Sequence, residues 1–159
     1  MSLADWALVS CVVWSGLWSG LLAMLTLVMH RMLAPMSGGE FARFQRAFLP
    51  TARRAPVNYA AVIGMVLSPV VALIALGVSA GAPFVFAAIG LGLTVAGPLL
   101  VSNRLAEPNY DVMLAWDPES LPAGWEATRT RYYAFNWFRA AATWTAFALF
   151  LVALVEQLR

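Results

Sequence analysis

Four long apolar stretches divide the chain, and each is interrupted by a shorter polar or turn-forming segment. At 1.5 Å per residue each is long enough to cross about 30 Å of hydrocarbon, so they predict membrane helices over about residues 6–33, 57–78, 83–101 and 133–155. Pro69 lies inside the second stretch and Pro98 near the end of the third, where each frees a carbonyl and can bend its helix. Ser120 or a neighbour is expected to cap the fourth helix, entered through Pro122. Between the first two stretches, GGEFARFQRAFLPTARRAP sets Phe41, Phe44 and Phe48 at helical spacings with Arg43, Gln45 and Arg46 between them. This predicts an amphipathic helix at the membrane surface, bracketed by Gly38 and Pro50, acting as an anchor or as a lid over a lipid-facing entrance. The second long connection, NRLAEPNYDVMLAWDPESLPAGW, is read as a loop able to cover the same opening.

Composition supports this class. The 159 residues are 62% hydrophobic and 11% charged, with a mean hydropathy of +0.75. A soluble domain of this length could not bury so much apolar surface, so lipid must cover the remainder. The expected fold is all-α: one integral-membrane, antiparallel four-helix bundle over residues 1–159, with the interfacial helix in its first cytoplasmic loop. The first stretch exceeds a signal-peptide core, follows Asp5 instead of a basic start, and ends in MHRM without a small-residue cleavage site.

All ten basic residues are arginines. The absence of lysine removes amine-based Schiff-base chemistry, and the lone Cys11 can form neither an internal disulfide nor a multi-cysteine metal site. Arg31, Arg43, Arg46, Arg53 and Arg54 fall between the first two stretches, and Arg104, Arg129 and Arg131 between the last two, whereas the SAGA turn has none. The positive-inside rule then places both long connections in the cytoplasm and both termini outside. These few arginines beside membrane spans argue against nucleic acid as a partner. Ser15, Gly16, Ser19, Gly20 and Ala23, with Gly90, Gly92 and Gly97, mark seams for close helix approach, which permit a homodimer.

Candidate chemistry gathers at one end. Antiparallel order brings His30, Asn58, Asn103, Arg104, Asn136 and Arg139 to the cytoplasmic level. Asn136, Arg139 and Thr143 share a helix face by their i, i+3, i+7 spacing, and His30 heads a stripe through Thr26, Ala23 and Ser19. Polar groups in apolar surroundings need partners, which leaves two roles open. One is a latch between helices, with Arg104 and Arg139 snorkelling to headgroups. The other is a site in which His30 is a general base and Arg139 with Asn58, Asn103 and Asn136 binds a substrate oxygen.

At these residues the chain resembles a known family. WSGLWSGLLAM, GPLLVSNRL and RYYAFNWFR are similar to runs of the DUF1772, or anthrone oxygenase-like, family, and the resemblance covers nearly the whole chain. Asn103, Arg104 and Leu105 match the end of that family's Pro-Leu-Asn-Asn-Arg-Leu-like run, with Val101 and Ser102 departing from it. Arg131, Asn136 and Arg139 match its Arg-Trp-x-x-x-Asn-x-x-Arg run, with Tyr132 in place of tryptophan. The resemblance implies a small four-span membrane protein, and some relatives oxidise anthrones to anthraquinones with molecular oxygen. If that activity carries over, His30 takes a proton from the doubly benzylic carbon while Asn103, Asn136 and Arg139 hold the anthrolate oxygen. No tightly held cofactor is then expected. Tyr133, Trp137 and Phe138 are read as interface anchors or as a stacking surface for a flat ring.

Two other readings stay open. A non-enzymatic bundle that binds lipid or a partner accounts for the seams and the polar latch, and a redox protein would hold a quinone, or a haem with His30 as its sole axial ligand. Transport is less attractive, because four spans without a credible midplane charge pathway would need oligomerisation. The expected location is a bacterial inner (plasma) membrane, with lipid as the surrounding partner.

Overall fold

A computed structural model describes all residues from Met1 to Arg159, and every regular element in it is helical. Helix α1 is Leu3–Leu33, α2 is Gly38–Arg54, α3 is Pro56–Leu76, α4 is Ala82–Leu114 and α5 is Trp125–Leu158. All but α2 are long and apolar enough to cross a membrane. The chain is thus an all-α, multi-pass membrane bundle whose successive long helices run antiparallel. Asp5 near the start of α1 accepts from Gln157 Nε2 near the end of α5 at 3.3 Å, which places both termini at one end.

Local chemistry sets most boundaries. Ser2 and Asp5 form a capping box before α1, and Ser37 and Glu40 form another before α2. Pro56 and Pro83 stand in the first turns of α3 and α4, where a missing N–H costs nothing. Gly77 and Gly81, at φ 66° and 70°, flank the tight turn between those helices.

Three boundaries differ from the sequence expectation. Helix α2 continues through Pro50 to Arg54 instead of stopping at the proline. Helix α5 begins after Gly124, at φ 79°, with no side-chain cap from Ser120. The largest change is in α4, which continues past residue 101 through a π-helical segment, Val95–Ala106, and an α-helical one, Glu107–Leu114. Pro108 sits in the first turn of that last segment, so it does not break the helix. The expected second loop shrinks to residues 115–124.

Helix lengths decide the shape. Helix α3 has 21 residues and α4 has 33, about 31 Å against about 50 Å of axis. The ends of α1 and α4 and the start of α5 therefore overhang α3 at the end away from the termini. Helix α2 fills that overhang, where Phe41 and Leu49 pack with Leu33, Tyr110, Met113 and Tyr132. At the opposite end Leu8, Cys11, Ala72, Ala87, Ala146 and Phe150 form a separate core.

Candidate functional site

Between these two cores Trp18, Leu22, Ala61, Met65 and Ala140 form a third, and the bundle parts beyond it. Helix α3 packs along the Leu3–Ala23 part of α1 and the α-helical start of α4, whereas the π segment of α4 lies on α5. A π turn carries an extra residue and redirects the helix beyond it, and α1 has one as well, at Met24–Met29. Pro98, which cannot donate an N–H, falls inside the π segment of α4. The divergence leaves a cavity of about 620 Å³, lined by 22 residues from all five helices, 15 of them hydrophobic. Leu21, Met24, Tyr59 and Ile63 line it and are also exposed on the outside of the bundle. Its open side therefore faces the surface that the spanning helices present to lipid. A depression at Pro50, Thr51, Arg54 and Ala55 has only one hydrophobic lining residue and is a surface feature.

The inner wall is polar. Residues 132, 136 and 139 recur at i, i+4 and i+7 on α5, which turns Tyr132, Asn136 and Arg139 to one face. Arg139 Nη1 donates to Tyr110 Oη at 3.1 Å and to Asn136 Oδ1 at 3.2 Å, while Tyr110 Oη lies 3.4 Å from Asn136 Oδ1. Arg139 thus turns inward instead of snorkelling, and it forms no ion pair. Asn136 is fully buried behind the lining, and its Nδ2, Arg139 Nε and Tyr132 Oη have no partner. Thr143, one turn on, donates to the Arg139 carbonyl at 2.8 Å and is occupied with its own helix.

Toward the overhang the wall is charged but balanced. Arg53 of α2 pairs with Glu107 at 2.6 Å and Asp111 at 2.8 Å on α4, and its guanidinium lies 5.8 Å from the centre of the Tyr110 ring. Burial disfavours the Arg53 charge, but Asp111 and Glu107 outweigh it and raise its pKa. The pair fastens α2 over the cavity.

The structure brings some of the sequence candidates together and separates others. Asn58, Asn103 and Arg139 all line the cavity. Asn58 Nδ2 is engaged, donating to the Ala52 carbonyl at 2.7 Å at the end of α2, and Asn103 is exposed at the mouth. Arg104 is exposed outside the cavity lining.

His30 is buried but is not on the cavity wall. Its ring centre lies 4.5 Å from that of Tyr133, 5.7 Å from Tyr132 and 6.3 Å from Trp137, and neither ring nitrogen has a hydrogen-bond partner. Tyr132, which packs against the imidazole, does line the cavity. A porphyrin ligated by His30 would have to displace these aromatic rings, so the surroundings do not fit an axial haem ligand. No three His, Cys, Asp or Glu side chains converge as a metal-binding group.

Sequence reasoning did not select Tyr110, Tyr132, Arg53 and Glu107 as wall residues. Tyr132 was within reach, being four residues before Asn136 on one helical face. Glu107 and Tyr110 were hidden by reading their segment as a loop. Comparison with family models, with curated proteins and with solved structures returns no match to this chain.

Proposed function

We propose that the protein is a membrane-embedded oxygenase of flat hydrophobic phenols of the anthrone type, held in the cavity between α1, α3 and α4. The observation that carries this reading is a cavity of about 620 Å³, open toward lipid, with buried hydrogen-bond donors on its inner wall. That volume falls in the usual range for small-molecule sites, and a mostly apolar lining with a few placed polar groups is the usual composition.

The reaction is anthrone plus molecular oxygen giving anthraquinone plus water. The doubly benzylic carbon loses a proton to water, regained later by the peroxide, to give the anthrolate, which passes one electron to oxygen. The two radicals combine and a carbon-bound peroxide forms. Its O–O bond then breaks with loss of water, leaving the second carbonyl. Arg139, with Tyr110 and Asn136, stabilises the anthrolate oxygen, an effect worth most in a site that excludes water. Glu107 is the cavity's one carboxylate and is engaged by Arg53. His30, behind Tyr132, holds the aromatic wall and does not meet the ligand directly.

The same reading sets the arginine-rich end, with α2, on the cytoplasmic side of a bacterial inner membrane. Its support is eight arginines toward that end, Arg31, Arg43, Arg46, Arg53, Arg54, Arg104, Arg129 and Arg131, against Arg159 alone beyond the other.

The test is oxygen uptake and anthraquinone formation from anthrone by protein in lipid nanodiscs. Arg139→Gln is expected to lower the rate about 100-fold, as for loss of an oxyanion donor, and His30→Ala to lower it less. A wild-type rate equal to that of empty nanodiscs would refute the oxygenase. Saturable ligand binding without turnover would establish the second reading, a lipid- or small-molecule-binding bundle. That reading is favoured by one observation: no wall residue is a free base.

A further inference from the structure

We infer that the cavity takes its ligand as an anion: a hydrophobic aromatic molecule with an acidic oxygen, bound ionised, for which Arg139 is the counter-charge. This rests on the reading of the cavity as a ligand site and deepens it. The wall is short of free anionic acceptors. Arg139 Nε and Tyr132 Oη on α5 and Ser102 Oγ on α4 belong to lining residues and are buried without partners, and Asn136 Nδ2 is unpartnered behind them.

Guanidinium and amide N–H groups can only donate, and a cation in apolar surroundings is costly when no anion meets it. Carboxylates are near but committed. Glu107 and Asp111 both bind Arg53, and Asp111, its side chain 69% exposed, is screened by water. The other titratable groups facing the space are Tyr59 of α3, Tyr110 of α4 and Tyr132 of α5, with His30 of α1 and Tyr133 behind Tyr132. None of them is a carboxylate. An anionic ligand oxygen would meet the Arg139 guanidinium and the hydroxyls of Tyr132 and Ser102 together.

Ionisation here is the loss of the ligand's own O–H proton to water, with no electron transferred. The charge-stabilising wall does not then require a protein base.

The probe is 2-hydroxyanthraquinone, whose phenolate absorbs at longer wavelength than its phenol. It is titrated from acid to alkaline pH in wild-type nanodiscs and in empty ones. Wild type is expected to bind the phenolate at least about tenfold more tightly than the phenol, which lowers the bound dye's apparent pKa. Arg139→Lys should retain most of this preference, and Arg139→Gln should lose it. Asn136→Asp, which places a carboxylate beside the guanidinium, should lose it as well and gives a second test should the glutamine variant not fold. Arg104→Gln, at an exposed position outside the cavity lining, should leave it unchanged.

Saturable binding without phenolate preference overturns the inference and leaves the cavity site standing. Absence of saturable binding to wild type overturns both. Displacement of the dye by added phosphatidylglycerol, but not by phosphatidylcholine, assigns the anion to a lipid headgroup and overturns the aromatic ligand.

Discussion

Phe150, at the end where the termini meet, and Phe41, under the overhang, are both fully buried, yet different forces hold them. Phe150 packs between spanning helices, and a Cβ added to Gly90 would lie 2.6 Å from its ring. Lipid is as apolar as a protein core, so that end is held by close packing and not by transfer from water. Phe41 belongs to α2, which is not one of the spanning helices. Its ring meets those of Tyr132 at 5.9 Å and Trp116 at 6.4 Å. Arg129 lies 5.6 Å from the Phe41 ring centre and donates to the Met36 carbonyl at 3.0 Å. Charged side chains lie exposed at this end, as in the Arg43–Glu119 pair, which suits water and not hydrocarbon, so the hydrophobic effect is expected to act there together with ion pairs. The cavity lies where the closely packed regime gives way to the watered one. A bundle closed by packing alone would have little room for a ligand.

The sharpest way to break this comparison is Phe41→Ala. Removing a fully buried phenylalanine from a watered core should cost about 3–5 kcal/mol. The loss should appear as early detachment of α2, seen as proteolysis within Gly38–Arg54 before the spanning helices unfold. Unchanged protease resistance would mean that the bilayer surface, not the protein, holds α2. A smaller effect belongs to the packed end. Gly90→Ala forces its new methyl against Phe150 and should cost about 1–3 kcal/mol, whereas Gly92→Ala, with nothing within 4 Å, should be neutral or slightly stabilising. Thermal unfolding of the two variants in one detergent checks this. Equal midpoints would show that close packing is not what holds this end.

The spans were legible because lipid allows few alternatives to long apolar helices, and short connections forced their antiparallel order. That order alone brings His30, Asn58, Asn103, Asn136 and Arg139 to one end. Finer placement was hidden for physical reasons. The stripe from Ser19 to His30 assumed a constant 3.6-residue period, and the π turn at Met24–Met29 adds a residue to a turn, which rotates the helix face beyond it. His30 accordingly packs against Tyr132 and Tyr133 rather than on the cavity wall. Pro108 suggested a break, but at a first-turn position it demands none, so α4 delivers Glu107 and Tyr110 to the wall. The Arg53–Glu107 pair joins residues 54 apart in sequence, and no local pattern announces such a contact.

The mildest perturbation concerns the cap of α2. Ser37 Oγ and Ser37 N both donate to Glu40 Oε2, at 2.7 and 2.8 Å, and these bonds hold the Glu40 carboxyl below its ordinary value of 4.5. A lowered carboxylate pKa stabilises the fold fully above the unfolded value. That contribution is lost as pH falls through the lower, folded value. The first-turn amides of α2 should therefore keep their protection from hydrogen exchange on acidification to about pH 4.5 and lose it below. Ser37→Ala removes the hydroxyl but keeps the backbone donor. It should cost about 0.5 kcal/mol, the low end for an N-cap, and move the loss of protection toward the ordinary carboxylate range. An unchanged pH profile in that variant would show that the core around Phe41, and not the capping box, sets where α2 begins to open.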